Sequence, residues 1–174
     1  MHNIQPAKSA STDEVQREFR RAMGLFTTGV CVISVPSGQQ GVSAMTVNSF
    51  QSVSLDPMLV CWSIQNDASQ FDLYNDCERF AVSILADDHA ELARRYAARG
   101  DTLLRVDDFV QSDGGLPIID GALCHFECRR WSEFVAGDHT IIFGEVTGMS
   151  ASEANTPARA PLGFFNGTFC SIGS

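Results

Sequence analysis

His139 follows Gly137-Asp138 and opens a largely apolar run, Thr140-Ile141-Ile142-Phe143-Gly144-Glu145-Val146. An imidazole at the mouth of a strand can give or take a proton near neutral pH. Asp138 either orients that ring or closes an Asx-turn, and a turn histidine satisfying a backbone carbonyl is the plainer alternative. A second group of interest is Thr46-Val47-Asn48-Ser49. Short hydroxyl and amide side chains there interrupt an apolar pattern, so the segment offers neutral donors and backbone amides to something polar lying along it. A half-buried strand with one wet face gives the same pattern. A third group is Ser63, Asn66 and Ser69, between an apolar run and a short helical stretch. Hydroxyls and free amides before a helix suit an anion such as a phosphate. Simple N-capping by Asp67 or Ser69 is the competing reading.

Other chemistries leave no trace in the sequence. There is no GxSxG elbow for a serine nucleophile. The four histidines lack HExxH or paired spacing, and Cys124 and Cys128 have no second pair, so no zinc site is indicated. His125 reads as a satisfied core or interface residue, and His89 as a helix-surface one. No GxGxxG follows the first strand and no GxxxxGK[ST] occurs anywhere. A nucleotide cofactor, if bound, is held by some other fold.

The elements that must position these residues are mostly strands. Residues 1–10 read as a loose tail and 11–174 as one domain. A helix begins at Ser11 or Thr12, where Ser11 and Glu14 have capping-box spacing. Its Val15, Phe19, Ala22, Met23 and Phe26 recur at helical spacing and predict one packed face, with Arg17, Arg20 and Arg21 solvated. Strands are predicted over 29–35, 42–54, 58–64, 80–85, 121–131 and 139–149, with a turn at 36–41. Residues 162–172 form a strand broken by an Asn166-Gly167 hairpin signal. Helices are predicted over 68–75 and 86–98. Residues 99–116 read as a long loop with one helical turn, a candidate lid or dimer contact. Strands joined by turns, without regular alternation with helices, predict a mainly antiparallel β-barrel with flanking helices.

With 174 residues, 44% hydrophobic and 19% charged, the chain suits one globular domain with a real core. The net charge of -9 argues against nucleic acid or an anionic membrane as partner. No stretch is long and apolar enough to span a bilayer, and the polar N-terminus lacks a signal-peptide core. Six cysteines without a CxxC pair read as free thiols in a reducing compartment, so a cytoplasmic location is the default expectation.

From about Phe19 to Phe169 the chain resembles the short-chain flavin reductase family, the reductase components of two-component flavin-dependent monooxygenases. The resemblance rests on Phe19-Arg20-Arg21-Ala22-Met23-Gly24 with Thr27-Thr28-Gly29-Val30, and on Met45-Thr46-Val47-Asn48-Ser49-Phe50. It continues through Val53-Ser54-Leu55-Asp56-Pro57 and Arg79-Phe80-Ala81-Val82-Ser83-Ile84-Leu85. Its most specific piece is Gly137-Asp138-His139 with Gly144-Glu145-Val146.

This resemblance implies a mainly β fold, a split β-barrel of Greek-key type, and a homodimer. It implies binding of FMN or FAD, with NADH or NADPH as reductant and hydride transfer to the flavin. It places Thr46, Val47, Asn48 and Ser49 along the flavin ring, Ser63, Asn66 and Ser69 by the ribityl chain and phosphate, and Ser83 beside the flavin tail. Asp138 falls within the cofactor-binding motif, and His139 lies near the nicotinamide as the catalytic residue. With no oxygen-activating group in evidence, reduced flavin is expected to leave for a separate monooxygenase. A 2′-phosphate on the nicotinamide cofactor would want an arginine, for which Arg94, Arg95, Arg99 and Arg105 are candidates. The competing expectation is a non-catalytic flavin- or haem-binding split barrel. An oxidase of the pyridoxamine-phosphate type would want a cationic phosphate site, and the only lysine here is Lys8.

Overall fold

The computed structural model describes residues 11–38, 41–97, 103–151 and 159–173. The predicted tail, 1–10, lies outside them. Helix α1 (Thr12–Met23) starts as its sequence dictates. Ser11 Oγ accepts the Glu14 N–H at 3.3 Å, and a Glu14 carboxylate oxygen accepts the Ser11 N–H at 2.9 Å. These bonds satisfy amides that have no partner inside the helix.

The strands follow as β1 (Thr28–Gly29), β2 (Cys31–Pro36), β3 (Val42–Val47), β4 (Gln51–Leu55) and β5 (Met58–Gln65). After α2 (Phe71–Asp76) come β6 (Arg79–Ile84) and α3 (Ala90–Ala97), the latter preceded by a short 3₁₀ turn at Asp87–His89. The rest are β7 (Phe109–Gln111), β8 (Pro117–Ile119), β9 (Cys124–Ala136), β10 (His139–Ala151), β11 (Leu162–Phe165) and β12 (Thr168–Ser171). Asn166 and Gly167, with φ of 48° and 79°, turn β11 into β12 as a two-residue hairpin.

Seven strands form one sheet in the order β3-β2-β6-β9-β10-β5-β4, with antiparallel pairing throughout. Its two edges, β3 and β4, are consecutive in the chain and joined by only Asn48, Ser49 and Phe50. Laid flat, those edges would stand about 29 Å apart at normal strand spacing. The link can reach no more than about 14 Å. The sheet must therefore curl until its edges approach, which is the split-barrel architecture. The single strand predicted over 42–54 is thus two strands with a crossing between them. Periodicity alone cannot reveal the break, because the apolar pattern continues on both sides of it.

Curling gives the sheet an inside and an outside, and both are covered. Ile33, Val35, Trp62, Ile64, Tyr74, Phe80, Val82 and Ile142 fill the inside. Val30, Val32, Ala44, Leu85, Ala93, Tyr96, Ile119 and Leu162 pack where α3 and its neighbours lie on the outer face. Burial on both faces explains why β2 is apolar from Cys31 to Val35 apart from Ser34, whose hydroxyl donates to the Pro117 carbonyl.

Three expectations need correction. Part of the long loop predicted over 99–116 is ordered as a hairpin, because β7 pairs with β8. The second helix covers Phe71–Asp76 rather than 68–75. Helix α1 has no buried residue, and its Val15, Phe19 and Met23 are exposed with Leu25 and Phe26 just beyond, so the predicted packed face is not buried among the described residues.

Candidate active site

The groove forms where the curled sheet opens. It is lined by Met45 to Val47 on β3, Asn48 and Ser49 in the crossing, Ser63 to Gln65 on β5, and Asp67 to Ser69 ahead of α2. Tyr96 and Ala97 of α3 close one side, and His139 stands at the start of β10. Its volume is about 590 Å³. Met45, Val47, Ile64 and Ala68 give it apolar walls. On its open side β3 bridges Leu103 at Ser43, and from Ala44 to Val47 its outward backbone N–H and C=O groups have no strand partner among the described residues. Among the described residues no arginine or lysine lines the groove, whose charge-bearing side chains are Asp67 and His139.

His139 is held at the rim by its turn. Gly137, with φ of 66°, occupies the first position of the two-residue Gly137-Asp138 turn, where a side chain would be strained. His139 pairs with Ala136 on one side and with Gln65 of β5 on the other. The ring Nδ1 lies 2.8 Å from Asp138 Oδ1. An ionised carboxylate cannot donate, so the Nδ1–H does, leaving Nε2 as the unclaimed ring nitrogen. This bond holds the Asp138 carboxyl below the usual carboxylate range, with Arg20 of α1 adding a smaller effect.

The hydroxyls divide their duties. Ser49 Oγ accepts the Ser63 N–H at 3.0 Å, which fastens the crossing to β5. Thr46 Oγ1 donates to the Ala93 carbonyl at 2.8 Å, so that side chain anchors α3 over the groove. The Thr46 hydroxyl's hydrogen is thereby taken, so toward a ligand that side chain can only accept, and a donor from Thr46 must be its backbone. Tyr96 is fixed in turn, donating its hydroxyl to Asp108 and accepting the Arg105 N–H at 3.0 Å. Burial, reinforced by the bond to Asp108, pushes the Tyr96 phenol up.

Of the residues singled out from sequence, the structure gathers Thr46, Val47, Asn48, Ser49, Ser63, Ser69 and His139 around this groove. Asn66 and Asp138 are not among the lining residues, but both bind the turn that carries His139. Ser83 is elsewhere. It is fully buried, and its Oγ accepts the Ile119 N–H of β8 at 3.0 Å. The β7–β8 hairpin, read from sequence as loop, covers the face where Ser83 was expected to meet a ligand.

Met45, Ile64, Gln65, Asp67, Ala68, Tyr96 and Ala97 were missed as groove residues. Gln65 and Asp67 flank Asn66 and were within reach of the same reasoning; Tyr96 carried no signal beyond a helix face. His89, read as a helix-surface residue, is half-buried, and its Nδ1 accepts the Ala86 N–H at 3.3 Å. Of the candidate arginines, Arg94 pairs with Glu91 and lies over the Phe169 ring, and Arg95 pairs with Asp108. Arg99 lies outside the described residues.

A curled sheet whose free edge and adjoining loops form a partly apolar groove rimmed by neutral donors and one histidine defines a binding site for a flat ligand with a polar edge. The family model for the flavin reductase like domain matches residues 23–173, and the chain belongs to that family. It is 41% identical over 156 residues to FMN reductase (NADH) SmoA of Agrobacterium fabrum, covering 90% of this chain and 86% of that protein. It is 33% identical to the solved NADH:FAD oxidoreductase SgcE6 of Streptomyces globisporus in complex with NAD and FAD fragments. That match has a TM-score of 0.83 and covers 95% of this chain and 97% of the other. The styrene monooxygenase flavin reductase of Pseudomonas putida S12 matches at 32% identity and a TM-score of 0.79, covering 90% and 97% of the two chains.

Proposed function

We propose that the protein is an NAD(P)H:flavin oxidoreductase that reduces FMN or FAD and supplies the reduced flavin to a separate monooxygenase component. The observation that carries this reading is the meeting of His139 with the free edge of β3 in one groove. The groove's chemistry fits a flavin: apolar walls suit the faces of a flat ring, and the unpaired backbone groups of an edge strand suit its polar rim. When bound, the flavin supplies the capacity to accept a hydride from reduced nicotinamide.

The backbone of Thr46 to Asn48 would hold the ring edge and place donors where negative charge grows. Ser63 and Ser69 would hold the ribityl and phosphate end. His139, oriented by Asp138, would hold the nicotinamide end through its free Nε2. With no arginine or lysine among the described lining residues, the phosphate gains little charge-assisted bonding from them, which fits a flavin that exchanges and leaves after reduction. Relatives described as NADH reductases support NADH as the reductant. A relative described as the reductase component of a trigonelline monooxygenase, of which this chain covers 48%, supports an oxygenase partner.

The same reading includes a homodimer, supported by α1, whose apolar stripe is exposed among the described residues. Residues 11–174 would act as one flavin reductase unit, and its six free thiols support a reducing compartment such as the cytoplasm. The test is His139→Ala. Turnover with NADH should fall at least tenfold while flavin affinity stays within about twofold, as expected for a group that contacts only one of two ligands. Equal loss of both, or loss of neither, removes His139 from its role. Light scattering should return twice the chain mass, and a monomer would refute the homodimer.

A further inference from the structure

Asn66 follows the last residue of β5, between two groove residues, Gln65 and Asp67. Three of its polar atoms engage the opposite hairpin. Nδ2 donates to the Gly137 carbonyl at 3.3 Å, and Oδ1 accepts from Thr140 Oγ1 at 2.8 Å. The backbone N–H donates to the Asp138 carbonyl at 2.9 Å. The amide's orientation is fixed by chemistry: a carbonyl can only accept, so the NH₂ must face Gly137, and the hydroxyl of Thr140 then donates to Oδ1. Thr140 is 1% exposed, which makes Asn66 Oδ1 the partner that its buried hydroxyl requires. Three hydrogen bonds from one residue thus grip Gly137, Asp138 and Thr140, the residues on either side of His139.

We propose that Asn66, with Thr140, is a positioning residue that sets where the His139 ring meets the groove. In this role it is not a ligand of the flavin phosphate. The assignment rests on the reading of His139 as the nicotinamide-side residue. It makes β5 a shared beam: Ser63 faces the flavin end of the groove, and Asn66, three residues on, ties down the turn for the second ligand.

The test compares Asn66→Ala and Thr140→Val with the parent enzyme in three measurements. The first is amide hydrogen exchange over residues 136–140 without added ligand; the others are flavin Kd by fluorescence quenching, and kcat and KM for NADH. Losing both side-chain bonds in Asn66→Ala should speed exchange of the turn and raise the NADH KM by roughly tenfold, with flavin Kd changed less than about twofold. Thr140→Val, nearly isosteric, should shift the same quantities by a smaller factor. The double variant should be no worse than Asn66→Ala, because both substitutions break one network.

Flavin-dependent NADH oxidation by the parent enzyme tests the functional reading by itself. With that in place, a flavin Kd weakened as much as the NADH KM would overturn the proposal and return Asn66 to the flavin. Unchanged exchange over 136–140, or additive effects in the double variant, would also overturn it.

Discussion

Gly144→Ala probes how tightly the strand carrying His139 is seated. Gly144 sits in β10, opposite Val60 of β5. A Cβ built there would stand 2.5 Å from Phe80 Cζ, 3.0 Å from Phe80 Cε1 and 3.0 Å from Cys128 Cβ. Carbon atoms prefer about 3.5–4.0 Å, so roughly 1 Å must be found. Phe80 has no room to give it, because its ring is fully buried and packs edge-on against Trp62, with centroids 6.0 Å apart. Overpacking of this kind costs about 1–3 kcal/mol. For a chain of this size that corresponds to a Tm lower by roughly 2–12 °C. Urea denaturation followed by tryptophan fluorescence measures it, since Trp62 is buried in the core. Phe80→Leu in the same background should reduce the penalty of Gly144→Ala, because it removes the ring atoms in the way. An unchanged urea midpoint for Gly144→Ala would refute the reasoning, as would a penalty that Phe80→Leu leaves intact.

Other expectations follow from buried titratable groups. Burial holds His89 below its ordinary value of 6.5, with Arg159 acting in the same direction and Asp88 and Asp120 opposing. The unfolded chain therefore takes up the proton first. The stability that His89 contributes is present above 6.5 and is lost as pH falls through its lower folded value. The urea midpoint should drop between about pH 7.5 and about pH 5.5, and His89→Gln should flatten that dependence; an equal drop in the variant contradicts the assignment. Burial pushes the Cys31 and Cys128 thiols up to about 12. At pH 8 their labelling by a thiol reagent should be slower in the native than in the urea-unfolded protein by about a thousandfold, as the thiolate fraction dictates. Rapid native labelling at either site would show that this core opens. Thr46→Val removes the donor to Ala93 and should cost about 1 kcal/mol while flavin Kd changes less than about threefold. A large loss of flavin affinity without loss of stability would place the hydroxyl on the ligand instead.

The features legible in the sequence are those fixed by near neighbours. The Ser11–Glu14 capping box, the Asn166-Gly167 hairpin and the Gly137-Asp138 turn each depend on a few adjacent residues, and each appears where its chemistry requires. His139 at a groove rim was legible because a tight turn must present the first residue of the next strand. The features that were not legible depend on partners far along the chain. Nothing near Asn48 to Phe50 says that the chain crosses there from one sheet edge to the other. Ser83 looked available because β8, which takes its hydroxyl, consists of three residues and lies 34 or more positions away. The bonds of Asn66 run to a hairpin 71 and 74 residues downstream, which nothing near it in the sequence announces. Helix α1 was read correctly as amphipathic, yet periodicity cannot say which molecule covers the apolar face.

At the centre of the account, one groove holds flavin and reduced nicotinamide together for hydride transfer. The most direct measurement is NADH oxidation by the purified protein, followed by absorbance, with catalytic FMN, FAD or riboflavin in air. Turnover that requires added flavin, with the flavin removable by dialysis, is the predicted result. Tight flavin binding with no oxidation of NADH or NADPH would contradict the account and leave a non-catalytic flavin-binding barrel in its place.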